Sequence, residues 1–232
     1  MKPATATLST NGLTVPGNFP VTEYESVQRT LSSKYGAHAL YAHYGGAWNA
    51  LAYRYRECCD SGERFLLLLQ RYGGSPPPEE RYRQERALFD FFSAGFSIFE
   101  CTFYALYTFG AIGSPAHFSL ATEREQQQVT PARTKDAFTR AFPNDPILTT
   151  FATIFADREY QRWREIRNVL THRTAPGRTM FVSLGEEDAV PTEWKLTNSA
   201  LDGSIIANGL SNLNRLLSDL LSAAALLVNS HL

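Results

Sequence analysis

Residues 91–113 read FFSAGFSIFECTFYALYTFGAIG, and the reading of this run decides the fold. It is long enough to cross a bilayer, which takes about 20 predominantly apolar residues. Glu100 stands at its middle, however, and Ser93, Ser97, Thr102 and Thr108 interrupt it. A carboxylate at mid-membrane is costly, so the run reads as the buried central helix of a soluble bundle, with no membrane partner. Ser93, Ser97, Glu100, Tyr104 and Thr108 recur at intervals of four, three, four and four, which places them in one stripe. Buried polar groups need partners, so that stripe is expected to face something polar.

Upstream, a first helical region extends from about Glu23 to Tyr72, interrupted near Gly36 and loosened at Gly45-Gly46. Ser75-Pro76-Pro77-Pro78 ends it, and Glu79-Glu80 opens the next helix, which extends to about Ile112. Proline and acids in a first turn suit a helix N-terminus. Residues 113–143 form a polar connection with a short helix around Arg133 to Ala141. A third helix is predicted from Asn144-Asp145-Pro146, a cap followed by proline, to His172, with Pro176 beyond as a stop. Two strand-like runs, Thr179 to Leu184 and Thr192 to Leu196, flank the acidic turn Gly185-Glu186-Glu187-Asp188. A last helix fills Gly203 to Ser230, with Ile206, Leu210, Leu213, Leu217, Leu220, Leu221 and Leu227 at spacings of three and four.

The expected fold is therefore all-α, an antiparallel four-helix bundle with a small β-hairpin insertion before the last helix. Residues 1–22, rich in Thr, Pro, Gly and Asn, lack periodicity and read as an extended N-terminal arm. Residues 23–232 read as one helical domain, with the hairpin at about 178–197. A chain of 232 residues with 44% apolar content encloses one sizeable core.

A net charge of -1 and a sequence pI of about 6.5 exclude a global basic field, so any nucleic-acid site is local. Of the 22 basic residues 18 are arginine, and Arg158, Arg162, Arg164, Arg167 and Arg173 crowd one segment. Arginine favours phosphate and carboxylate forks; ion pairing with Asp157, Glu159 and Glu165 is the structural alternative. The start MKPATATLSTNG has no apolar stretch fit for a signal peptide, which predicts a cytoplasmic protein. Cys58-Cys59 and Cys101 have neither zinc spacing nor an even disulfide count, and His38 and His43 add no ligand pattern, so neither metal nor cofactor is expected. Tyr41, Tyr44, Trp48, Tyr53, Arg54, Tyr55 and Arg56 interleave aromatic and basic groups as a base-stacking surface does, although helical spacing also suits core positions. No Ser-His-Asp motif, P-loop or G-x-G-x-x-G is present.

The stretch Arg167-Asn168-Val169-Leu170-Thr171-His172-Arg173 ends the third helical segment as an R-N-x-x-x-H run. A guanidinium that fits phosphate oxygens and an imidazole that titrates near neutrality supply what metal-free phosphodiester cleavage needs. The run resembles the signature of the HEPN superfamily, small all-α modules, with Arg167, Asn168 and His172 matching residue by residue. The resemblance covers roughly residues 36 to 230 in architecture and about seven residues in specific letters. It implies an RNase acting as a homodimer through its motif helices, with a toxin or antiviral-defence role and an antitoxin or other regulatory partner.

In that scheme His172 takes the proton of an RNA 2′-hydroxyl or gives one to the leaving 5′-oxygen, and Arg167 stabilises charge on the phosphate. Asn168 holds the imidazole or a phosphate oxygen, Arg164 and Arg173 bind flanking phosphates, and Glu100 and Arg162 support the site. Products are a 2′,3′-cyclic phosphate and a 5′-hydroxyl. The rivals are a catalytically inactive HEPN-like module that binds a nucleotide or protein, and a purely structural dimerisation bundle.

Helical geometry complicates this picture. In the third helix Ile147, Phe151, Ile154 and Phe155 define an apolar face, and continuing it brings up Arg158, Arg162, Glu165 and His172, with Glu100 expected against one of those arginines. Arg167 and His172 then lie about 140° apart, His172 near the apolar face and Arg167 nearly opposite. Either the last turn unwinds, or two copies of the motif share one cleft across a two-fold axis.

Overall fold

The computed structural model describes residues 4–172, 177–179, 193–196 and 199–231. Within them the chain is mostly helical: β1 (Thr5–Thr7), β2 (Thr14–Pro16), α1 (Val21–Tyr35), α2 (Tyr41–Tyr72), α3 (Pro78–Gly113), α4 (Glu123–Gln127), α5 (Pro131–Ala141), α6 (Ile147–Ala156), α7 (Arg158–His172), β3 (Gly177–Thr179), β4 (Glu193–Leu196), β5 (Ser199–Ala200) and α8 (Gly203–His231).

The apolar run is the axis of the molecule. Pro78 and the acids Glu79 and Glu80 form the first turn of α3, and Gly113 is its last residue. The helix is apolar nearly all round because it is surrounded, by α2 along its length and by α5, α7 and α8 elsewhere. Phe91, Phe92, Ile98, Phe99, Phe103 and Leu106 are all buried. No helix among the described residues is long and apolar enough to cross a membrane. Close approach is possible where side chains vanish: a Cβ on Gly95 would lie 1.8 Å from Cζ3 of Trp163, and one on Gly209 would lie 2.9 Å from its Cζ2. The indole of α7 is thus inserted between α3 and α8, with Phe91 at 4.9 Å and Phe92 at 5.1 Å between ring centroids.

The residues expected as an extended arm are packed. β1 and β2 pair antiparallel, with Ala6 opposite Val15, and Gly12 takes a positive φ of 72° in the turn. Leu8, Val15 and Phe19 are buried, and the Phe19 ring meets Tyr24 and Tyr55 edge-on. The first helical region breaks after Tyr35, as Gly36 suggests, but α2 continues unbroken through Gly45-Gly46. Tyr24, Trp48 and Tyr44 stack at 5.4 and 5.6 Å in the core, so the buried Tyr44, Trp48 and Tyr55 offer no surface for bases. α4 was not anticipated; Thr122 and Glu125 close a reciprocal capping box at its start.

The predicted third helix is two helices. Asp157 leaves the helical region at φ -67° and ψ 127°, and its Oδ1 accepts from the N–H groups of Glu159 at 2.8 Å and Tyr160 at 3.1 Å. The Asp157 side chain therefore caps α7 independently of α6. The apolar face of α6 does not continue into α7, whose buried residues are Tyr160, Trp163, Ile166 and Val169. Beyond α7, β3 pairs antiparallel with β4 and β4 with β5. Residues 180–192, which include the expected acidic turn, lie outside the described residues, as do Arg173 and the break at Thr174 to Pro176.

Candidate functional site

The motif occupies the last turns of α7, which stays helical through His172, so the stretch from Arg167 to His172 is not unwound. The break at Asp157 rephases this helix and reverses two expectations. Arg167 lies beside the buried face, its side chain 24% exposed, whereas His172 is exposed on the opposite side. The angle between them remains about 140° on a regular helix, so one protomer aims them apart.

Arg167 is held on three sides. Its Nη2 donates to Glu100 Oε1 at 3.2 Å and Oε2 at 3.3 Å, its Nη1 donates to Asn168 Oδ1 at 3.1 Å, and its Cζ lies 5.5 Å from the Phe96 ring centroid. Glu100 thus faces an arginine, but the motif arginine, and neither Arg158 nor Arg162. The carboxylate is 37% exposed, so the pair contributes roughly 0–1 kcal/mol to stability and mainly fixes the guanidinium. A guanidinium carries five N–H donors, so these contacts leave donors for an incoming oxygen. Ser97 extends the set, its hydroxyl reaching Glu100 Oε2 at 3.4 Å.

Arg164, Asn168 and His172 follow one another at four-residue intervals, which on a helix makes a single row. Arg164 and His172 are exposed and Asn168 is half-buried; neither Arg164 nor His172 makes a hydrogen bond or ion pair among the described residues. The Thr171 hydroxyl donates to the Arg167 carbonyl at 2.7 Å, which occupies an end-of-helix acceptor. Arg162 turns elsewhere, with Nη1 3.5 Å from Glu159 Oε2 on its own helix. The structure therefore gathers Arg167, Asn168 and Glu100 at one point, continues through Asn168 to Arg164 and His172, and leaves Arg162 aside. Phe96 beneath Arg167 was not singled out from the sequence; its place four residues before Glu100 was the available signal.

Two further stripe residues find partners: Tyr104 Oη lies 3.4 Å from His43 Nδ1 on α2, and the Thr108 hydroxyl donates to the Tyr104 carbonyl. Burial pushes the Tyr160 hydroxyl, one turn before Arg164, up to about 12, against a smaller opposing effect of Arg164. Burial also raises the thiols of Cys58, Cys59 and Cys101, which keeps them protonated and poorly nucleophilic. Among the described residues no group of three or more His, Cys, Asp or Glu side chains is disposed to hold a metal ion. No model of a known protein family, no curated protein and no solved structure matches this chain.

Proposed function

We propose that the protein is a metal-independent endoribonuclease built on an antiparallel four-helix bundle of HEPN type, with its catalytic groups contributed by two copies of the chain. The observation that carries this reading is the pairing of a restrained guanidinium with an exposed imidazole that has no hydrogen-bond or ion-pair partner among the described residues, on the same helix and pointing apart. Each chain then presents an arginine and a histidine that find their complement across a two-fold axis along α7. His172 takes the proton of the 2′-hydroxyl, the 2′-oxygen attacks phosphorus, the P–O5′ bond breaks and that proton passes to the 5′-oxygen. Arg167, aligned by Glu100 and Asn168, stabilises the charge on the equatorial oxygens. Arg164, on the exposed row, binds a flanking phosphate. By analogy with the resemblance, such an activity suits a toxin or defence effector restrained by a partner protein.

The test is incubation of the parent and of His172→Ala with labelled RNA in EDTA. Cleavage by the parent alone, giving 2′,3′-cyclic phosphate ends and sparing DNA, is the expected outcome. The pairing of Arg167 with Glu100 favours a second reading, a catalytically inactive HEPN-like module that binds a nucleotide or a protein. In that case neither protein cuts RNA.

A further inference from the structure

A groove of about 570 Å³ opens between α2 and α3. Tyr53, Arg54 and Glu57 line it from α2, and Arg86, Phe89, Asp90, Ser93 and Ser97 from α3. Tyr53 is 55% exposed and Phe89 38%, which is unusual for large rings on helices whose other aromatics are mostly buried. Among the described residues the Ser93 hydroxyl, on the groove lining, is buried without a hydrogen-bond partner, as are Gln28 Oε1 and Tyr44 Oη elsewhere. Arg54 and Arg86 donate; Glu57 and Asp90 accept. Glu57 is already reached by the Ser61 hydroxyl at 2.9 Å, and Asp90 has Arg86 Nε at 3.7 Å. Two cations and two carboxylates cancel, so the groove does not select for a simple anion. Its rings and mixed polar rim instead match a flat heterocycle with donors and acceptors on its edges.

We propose that this groove binds one unpaired guanine of the RNA substrate, a subsite that rests on the ribonuclease reading. Guanine is the base that offers acceptors at O6 and N7 to an arginine together with donors at N1 and N2 to a carboxylate. Tyr53 and Phe89 supply the stacking surface. The groove leads directly to the motif: Ser97 lines it and bonds Glu100, and Glu100 holds Arg167. A base seated there delivers its strand along α3 toward the motif guanidinium.

The experiment uses the full chain carrying His172→Ala, in EDTA, titrated with short fluorescent oligouridylates that differ at one central position. An oligomer with a central guanosine is expected to bind roughly tenfold tighter than the adenosine or all-uridine versions, a difference of about 1.4 kcal/mol. Adding Asp90→Asn should abolish that preference, and adding Tyr53→Ala should weaken all the oligomers, since both residues lie at the surface of the fold. Equal binding of the three oligomers, or a guanosine preference that survives Asp90→Asn, overturns the proposal. The readout is binding, so loss of the nuclease reading in a separate cleavage assay is not confused with loss of the subsite.

Discussion

The two ends of α7 are held in opposite ways. At its beginning, Asp157 caps the helix and Trp163 is inserted against Gly95 and Gly209, so that little can change without breaking packing. At its end, Arg167 is restrained by polar contacts with its side chain 24% exposed, and His172 is exposed and makes no hydrogen bond or ion pair among the described residues. Interlocked packing serves rigidity, whereas restrained but accessible charge serves chemistry. The first half of the helix aims the second, and substitutions along it should trade stability effects for functional ones.

The largest loss of stability is expected for Trp163→Ala, about 3–5 kcal/mol by urea unfolding, because it empties the site between three helices. Gly95→Ala should cost about 1–3 kcal/mol through overpacking, and much less when combined with Trp163→Ala, which removes the clashing ring. Additive costs would mean that Gly95 matters for some reason other than the indole.

Asp157→Ala is expected to cost about 0.5–2 kcal/mol, from the lost cap and the lost contact of Arg215 Nη2 with Asp157 Oδ2 at 2.6 Å. Burial by itself raises this carboxyl, but hydrogen bonds from Arg215 and from the Tyr160 and Glu159 N–H groups outweigh it and hold the group below its ordinary range. A depressed folded value adds stability above the unfolded pKa of about 3.9 and loses it as pH falls through the folded one. The difference between parent and Asp157→Ala in unfolding midpoint should therefore shrink with acidification below about pH 4. A difference that stays constant through that window would show that the capping charge is not what the helix start depends on.

Nearer the motif the balance reverses. Glu100→Gln should alter stability by less than about 1 kcal/mol, since the pair is partly exposed. On the ribonuclease reading it should slow cleavage by about tenfold through a poorly aligned Arg167. A large stability loss with unchanged cleavage would make Glu100 a structural partner only.

The sequence reveals these two ends unequally. The limits of α3 and α8 follow from Pro78, Gly113 and Gly203, whose backbone chemistry is local, and they fall within a residue of expectation. The break at Asp157 was masked because the residues around it suit a helix on both sides. Its signal was the separate spacing of Tyr160, Trp163 and Ile166 at threes, which declares a new face and turns Arg167 inward and His172 outward. The Asn11-Gly12 turn marks the N-terminal hairpin, and Thr122 with Glu125 marks α4. That Glu100 meets Arg167 depends on how α3 and α7 pack, which local pattern does not encode.

The most direct measurement of the central claim is subunit complementation between Arg167→Ala and His172→Ala chains, each inactive alone, co-expressed with different tags and assayed on labelled RNA in EDTA. If each site takes its arginine from one chain and its histidine from the other, mixed dimers contain one intact site, and a randomly assorted preparation regains about a quarter of parental cleavage. No recovery in verified mixed dimers would contradict the shared site.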